Sequence, residues 1–136
     1  MNTFTGVIVA IEAHGSVAIV DVAVASQRFT ATLLGSAEQL AAWKIGQAVR
    51  LLFKETEVAL AKNLSGQISM RNRLPGIVTK LEIGQVLTRV VLDMQGIQIS
   101  SVITSRSARS LQIAVGDVVE GLVKSNEMSL LALEAE

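Results

Sequence analysis

The chain has 136 residues, half of them hydrophobic and only 3% aromatic, with twelve Lys plus Arg balanced by twelve Asp plus Glu. A net charge of zero leaves no global field to draw in nucleic acid or an anionic membrane, so any anion must be caught by local donors. The absence of cysteine excludes disulfides, thiolate metal sites and thiol nucleophiles together.

The apolar run at residues 7–11 is cut by Glu12 and His14, and that at 17–25 by Asp21, far short of the roughly 20 residues a membrane helix needs. No positively charged segment leads into an apolar stretch and a small-residue cleavage site at the N-terminus, so the expectation is a cytoplasmic protein. The length suits one ordinary domain or two very small ones. Its Val, Ile, Leu and Ala, at a mean hydropathy of +0.49, exceed what two such cores can hide, which predicts burial against other subunits.

In chain order, residues 4–11 are rich in Val and Ile and read as a strand ending at His14-Gly15. Residues 16–24 and 28–34 form the next two strands, with Ala25-Ser26-Gln27 as their hairpin connection. Ser36-Ala37-Glu38-Gln39 has the form of a capping box and opens a short helix reaching about Ala42. Residues 48–53 and 58–61, separated by Lys54-Glu55-Thr56-Glu57, close the set as strands four and five.

The second half repeats this plan. Asn2 and Asn72, Gly6 and Gly76, Glu12 and Glu82, Gly46 and Gly116, and Lys54 and Lys124 all stand 70 positions apart. Leu40 and Leu111 slip to 71, and Asp21 aligns best with Arg89 at 68, which places insertions in turns. The expected organisation is two repeats, residues 1–66 and 67–136. Each has five strands and a short helix between the third and fourth, the order of a small OB-like barrel, and the Ser-Met-Arg-Asn joint starts the second.

Four patterns then coincide: Ser69-Met70-Arg71-Asn72-Arg73-Leu74-Pro75-Gly76, the run from Ile99 through Thr104 to Ser107, Gly116, and Val123-Lys124-Ser125. In this order and spacing the chain resembles the Mop family of molybdate- and tungstate-binding, TOBE-like modules, whose hallmark is Ser-Ala-Arg-Asn. Two fused copies resemble the di-Mop arrangement of the molbindins. The resemblance implies a mainly β chain of two tandem OB-like five-stranded barrels, assembled as a homo-oligomer, a trimer of six modules. It also implies molybdate or tungstate bound between subunits, with Ser69, Met70, Arg71 and Asn72 of one chain closing over Thr104, Ser107, Lys124 and Ser125 of another.

The chemistry is consistent with that expectation. A tetrahedral oxyanion offers only acceptors, so its pocket has to supply amides, hydroxyls and a cation, with no protein atom acting as a direct metal ligand. Ser69, Arg71 and the amides of a non-repetitive connection make such a donor surface. Thr104 and Ser107 lie where a strand turns into a helix, and Lys124 and Ser125 add an ammonium and a hydroxyl at a strand end. In the first repeat, Leu34 matches Thr104 and Glu55 matches Ser125, so Ser36 and Lys54 are weaker candidates there.

Other features have plainer readings. His14 is a solvated turn residue, Trp43 a core or subunit contact, and Arg71, Arg73, Arg106 and Arg109 a solvated or interface patch. A nucleic-acid module would need aromatics for stacking, and the chain has three Phe, one Trp and no Tyr. No nucleophile–base pair, metal-ligand cluster, phosphate loop or nucleotide fingerprint points to an enzyme. The alternative to oxyanion storage, buffering or homeostasis is a ligand-poor TOBE-like regulatory or assembly domain.

Overall fold

Alternation of buried and exposed residues runs through the chain and makes it mainly β. Among the described residues there are ten strands: β1 (Asn2–His14), β2 (Val17–Val24), β3 (Gln27–Leu34), β4 (Ala48–Phe53), β5 (Ala59–Ala61), β6 (Asn72–Ile83), β7 (Leu87–Met94), β8 (Ile97–Thr104), β9 (Val118–Val123) and β10 (Ser129–Ala132). One short α-helix follows the third strand of each repeat, α1 (Ala37–Leu40) after β3 and α2 (Ser105–Ser110) after β8. The computed structural model describes residues 1–133; the final three residues of the second repeat lie outside the described residues. β1 is longer than its apolar run because Glu12, Ala13 and His14 continue the ladder with β2, up to a turn at Gly15, φ +62°.

The strands form two antiparallel five-stranded sheets, ordered β10-β4-β1-β2-β3 and β5-β9-β6-β7-β8. The fifth strand of each repeat therefore lies in the sheet of the other: β5 pairs with β9, and β10 with β4. Packing divides the chain accordingly. One compact unit, the β1–β4 unit, takes Thr3–Phe53 and the chain from Lys124; the other, the β6–β9 unit, takes Met1–Asn2 and Lys54–Val123.

All three phenylalanines sit at the centre of the β1–β4 unit, with the Phe4 ring 5.0 Å from Phe29 and 5.1 Å from Phe53, centroid to centroid. Ile8, Val20, Val22, Val49 and Leu51 complete that core. The β6–β9 unit fills its centre without a ring, from Leu74, Val78, Leu92, Met94 and Ile99.

Strand register corrects one alignment made from sequence. Ile19 faces Thr32 across β2–β3, and Arg89 faces Val102 across β7–β8, so Arg89 corresponds to Ile19 at the constant offset of 70. Asp21 corresponds to Val91, since they face Thr30 and Ser100. The β2–β3 and β7–β8 ladders contain no slip of the 68-residue kind expected for Asp21 and Arg89. Even the bulges repeat, between Ile8 and Ala10 and between Val78 and Lys80. The slip lies at the helices, where the capping residues Ser36 and Thr104 are 68 apart.

The repeated glycine of β1 and β6 has a steric cause. A Cβ on Gly6 would come within 2.3 Å of the Ala23 carbonyl oxygen, and one on Gly76 within 2.9 Å of that of Asp93. Pro75 is tolerated because this part of β6 ladders only with β9, pairing with β7 beginning at Ile77.

Candidate functional site

The joint between the repeats leaves regular structure after Ala61 and re-enters it at Asn72. Ser69 and Arg71 are exposed and Met70 half-buried, and Arg71 makes no ion pair among the described residues. Asn72 differs from its neighbours. It is fully buried, and its side-chain amide donates to the Val123 carbonyl at 3.1 Å, beside Lys124. Its repeat mate Asn2 makes two bonds to the backbone of Ser100, donating to the carbonyl and accepting from the amide, both at 2.8 Å.

Thr104 caps α2. Its Oγ1 accepts from the Ser107 amide at 3.1 Å and donates to Ser107 Oγ at 2.8 Å, which fixes the two hydroxyls as a pair. Both residues are exposed. A cleft of about 350 Å³ beside Thr104 is lined by Gln85, Val86, Arg106 and Arg109, and another of about 330 Å³ is lined by Ser107, Ser110, Ile103 and Leu60. Arg106 and Arg109 thus adjoin the predicted hydroxyl, whereas Arg73 is engaged elsewhere, donating from Nε and Nη2 to Glu120 at 2.6 and 2.7 Å. These two parallel hydrogen bonds hold the Glu120 carboxyl below its ordinary range and raise the Arg73 guanidinium above its own.

The far end of α2 is clamped by Lys62, whose ammonium donates to the carbonyls of Leu111 and Gln112 at 3.1 and 3.0 Å and to Asp117 Oδ2 at 2.9 Å. A cation at a helix C-terminus satisfies carbonyls that the helix leaves open. The Lys62 bond, then the Ala114 amide, depresses the Asp117 carboxyl. Lys62 escaped the sequence reading because its counterpart at the 70-residue offset is Ala132.

Lys124 and Ser125 belong to the β1–β4 unit and Thr104 and Ser107 to the β6–β9 unit. Lys124 is exposed and has no ion pair among the described residues, and Ser125 Oγ lies 2.8 Å from Thr32 Oγ1. Ser36, the weaker candidate of the same unit, caps α1 in a complete capping box: its hydroxyl accepts from the Gln39 amide at 3.1 Å while Gln39 Oε1 accepts from the Ser36 amide at 2.9 Å. It therefore does for α1 what Thr104 does for α2, although Leu34 holds the matching sequence position.

Lys54, the other weaker candidate, is exposed beside Glu55 in the β6–β9 unit. The Glu55 carboxylate faces Arg89, whose Nη2 donates to it at 3.4 Å and to Ser100 Oγ at 2.7 Å; the Met1 amine lies 4.0 Å from the same carboxylate oxygen. Glu55 thus pairs with Arg89, 34 residues on in sequence. Among the described residues, no cluster of three or more His, Asp or Glu is placed to hold a metal ion, and no helix is long and apolar enough to cross a membrane.

With this geometry in hand, comparison with known proteins gives a consistent picture. The TOBE domain family profile matches residues 1–60 and again 68–130. The molybdenum transport protein ModE of Herbaspirillum seropedicae is 31% identical over 127 residues, covering 91% of this chain and 47% of the relative. The molybdenum import ATP-binding protein ModC of Brucella abortus (strain 2308) is 36% identical over 86 residues, covering 62% of this chain and 24% of the relative. The chain thus spans between a quarter and a half of the length of these relatives. Among solved structures, the cytoplasmic molybdate-binding protein ModG, crystallised with molybdate bound, superposes with a TM-score of 0.90 over 97% of this chain and 96% of its own, at 26% identity. Two matches to one profile, on a ten-stranded frame with the fold of ModG, make this chain a member of the TOBE domain family carrying two copies in tandem.

Proposed function

We propose that this chain binds molybdate or tungstate at subunit interfaces, as a cytoplasmic homo-oligomer, a trimer, that stores or buffers the oxyanion and catalyses no reaction. The observation that carries this reading is the full-length likeness to ModG, a protein crystallised with molybdate. The donors support it. Exposed Ser69 and Arg71 with the Met70 amide, the exposed Thr104–Ser107 pair, and Lys124 with Ser125 offer what an acceptor-only dianion requires. In this reading the 69–72 segment of one chain closes over the remaining donors of another. Asn72 acts on the backbone, donating to the carbonyl of Val123, the residue before Lys124 in sequence.

The test is the double variant Arg71→Ala/Lys124→Ala. Two charge-assisted donors contribute about 1.5–3 kcal/mol each, so molybdate affinity should fall by more than about 100-fold. Both side chains are exposed and make no ion pair among the described residues, so circular dichroism and the thermal midpoint should stay at wild-type values. Unchanged affinity in the folded double variant would refute the site. A second reading, a ligand-poor regulatory or assembly domain, is favoured by Glu55 standing where the other repeat has Ser125, and it predicts no molybdate binding by a well-folded oligomer.

A further inference from the structure

The segments 54–58 and 124–128 have the same backbone and different chemistry. Lys54 and Lys124 have φ, ψ of −76°, 147° and −66°, 146°, and each starts a 3-10 turn in which its carbonyl accepts from the amide three residues on, at 3.0 Å. At Ser125 the neighbour across the unit is the Thr32 hydroxyl, at 2.8 Å. At Glu55 the position equivalent to Thr32 is Val102, without a hydroxyl, and the position equivalent to Ile19 is Arg89, which reaches the Glu55 carboxylate. A hydroxyl pair beside an apolar residue in one unit is thus an ion pair beside an apolar residue in the other. Three coordinated differences, Ser to Glu, Thr to Val and Ile to Arg, produce the exchange.

We infer that Glu55, held by Arg89, is the residue that closes the Lys54 position to oxyanions and so fixes how many anions each chain binds. This rests on the proposed molybdate-binding function and deepens it. A carboxylate is an acceptor only: toward a dianion it supplies repulsion and no hydrogen. The guanidinium that holds it is itself anchored by Ser100 Oγ at 2.7 Å and, through Nη1, by Glu82 at 3.5 Å. Removing the carboxylate while keeping Lys54 and Arg89 leaves two cations and, in Glu55→Ser, a hydroxyl, the chemistry of the Lys124–Ser125 position with one more charge.

The experiment is calorimetric titration of the full chain with sodium molybdate, comparing wild type, Glu55→Ser, the size-preserving Glu55→Gln, and Glu55→Ser/Arg89→Ile. The expected result is a rise of about one anion per chain in Glu55→Ser, kept in Glu55→Ser/Arg89→Ile, which carries the Ile of the Lys124 unit, and a weaker additional event in Glu55→Gln. The sites present in wild type serve as the internal check on folding. An unchanged count in both single variants, with the wild-type sites still filling, would overturn the inference and leave the proposed function standing; the pair would then be a structural ion pair only. Absence of molybdate binding by wild type would overturn the proposed function itself.

Discussion

Asn72 and Gly76 are buried parts of the frame, whereas Ser69 of the same motif lies at the surface. The buried Asn72 amide cannot be replaced by a methyl without leaving the Val123 carbonyl short of a donor. Asn72→Ala should therefore cost about 1–3 kcal/mol in chemical denaturation, while its exposed neighbour Ser69→Ala should leave stability within about 0.5 kcal/mol. Gly76→Ala places a Cβ 2.9 Å from the Asp93 carbonyl oxygen, a backbone atom that moves only with its strand. A loss of about 1–3 kcal/mol is expected from that overpacking, and an unchanged midpoint would show that β6 and β7 can part at no cost. The spacing of these residues was legible in the sequence, since repeated Asn and Gly mark the start of each repeat. Their burial was not, because a polar side chain beside exposed Ser69 and Arg71 gives no local signal that it points inward.

At the level of elements, the succession of strands along the chain followed from alternation and turn residues, the site of α1 from the Ser36 capping box, and that of α2 from the repeat. The exchange of fifth strands did not. Ala59-Leu60-Ala61 and Ser129-Leu130-Leu131-Ala132 are short and apolar, and nothing in either says which sheet it joins. The contacts decide, and they predict a specific truncation phenotype. Ending the chain after Val123 removes β10 from β4 and takes Met128 from the β1–β4 unit, so hydrogen exchange should accelerate in β4 while β6–β9 keep their protection. Equal loss in both units would contradict the exchange. The same ladders set the acid response. Arg73 holds Glu120 below its ordinary value of 4.5, so the bond contributes fully above that pH and its contribution is lost as pH falls through the lower folded-state value. Melting between pH 7 and pH 3 should show the wild-type midpoint falling more steeply than that of Glu120→Gln at the acid end.

For the molecule as a whole, zero net charge and an apolar composition are matched by large hydrophobic residues left exposed at repeated positions: Val7 with Ile77, Val17 with Leu87, and Ile45 with Val115. Such side chains in both units fit the proposed assembly of several copies. Ile77→Asp should then lower the mass measured by light scattering, and a monomeric wild type would remove the interface on which the proposed site depends. Family membership was legible because the four-part pattern spans the second repeat at fixed spacing. The chemistry of the first repeat was harder to read, because the partner of Glu55 is 34 residues away in sequence and reaches it only through the register of β7. The measurement that bears most directly on the account is titration of the wild-type oligomer with molybdate beside sulfate, on a sample of known mass. Saturable molybdate binding at about one anion per chain, with no heat from sulfate, is the predicted result. A folded oligomer that takes up no molybdate, or that binds sulfate equally, would contradict it.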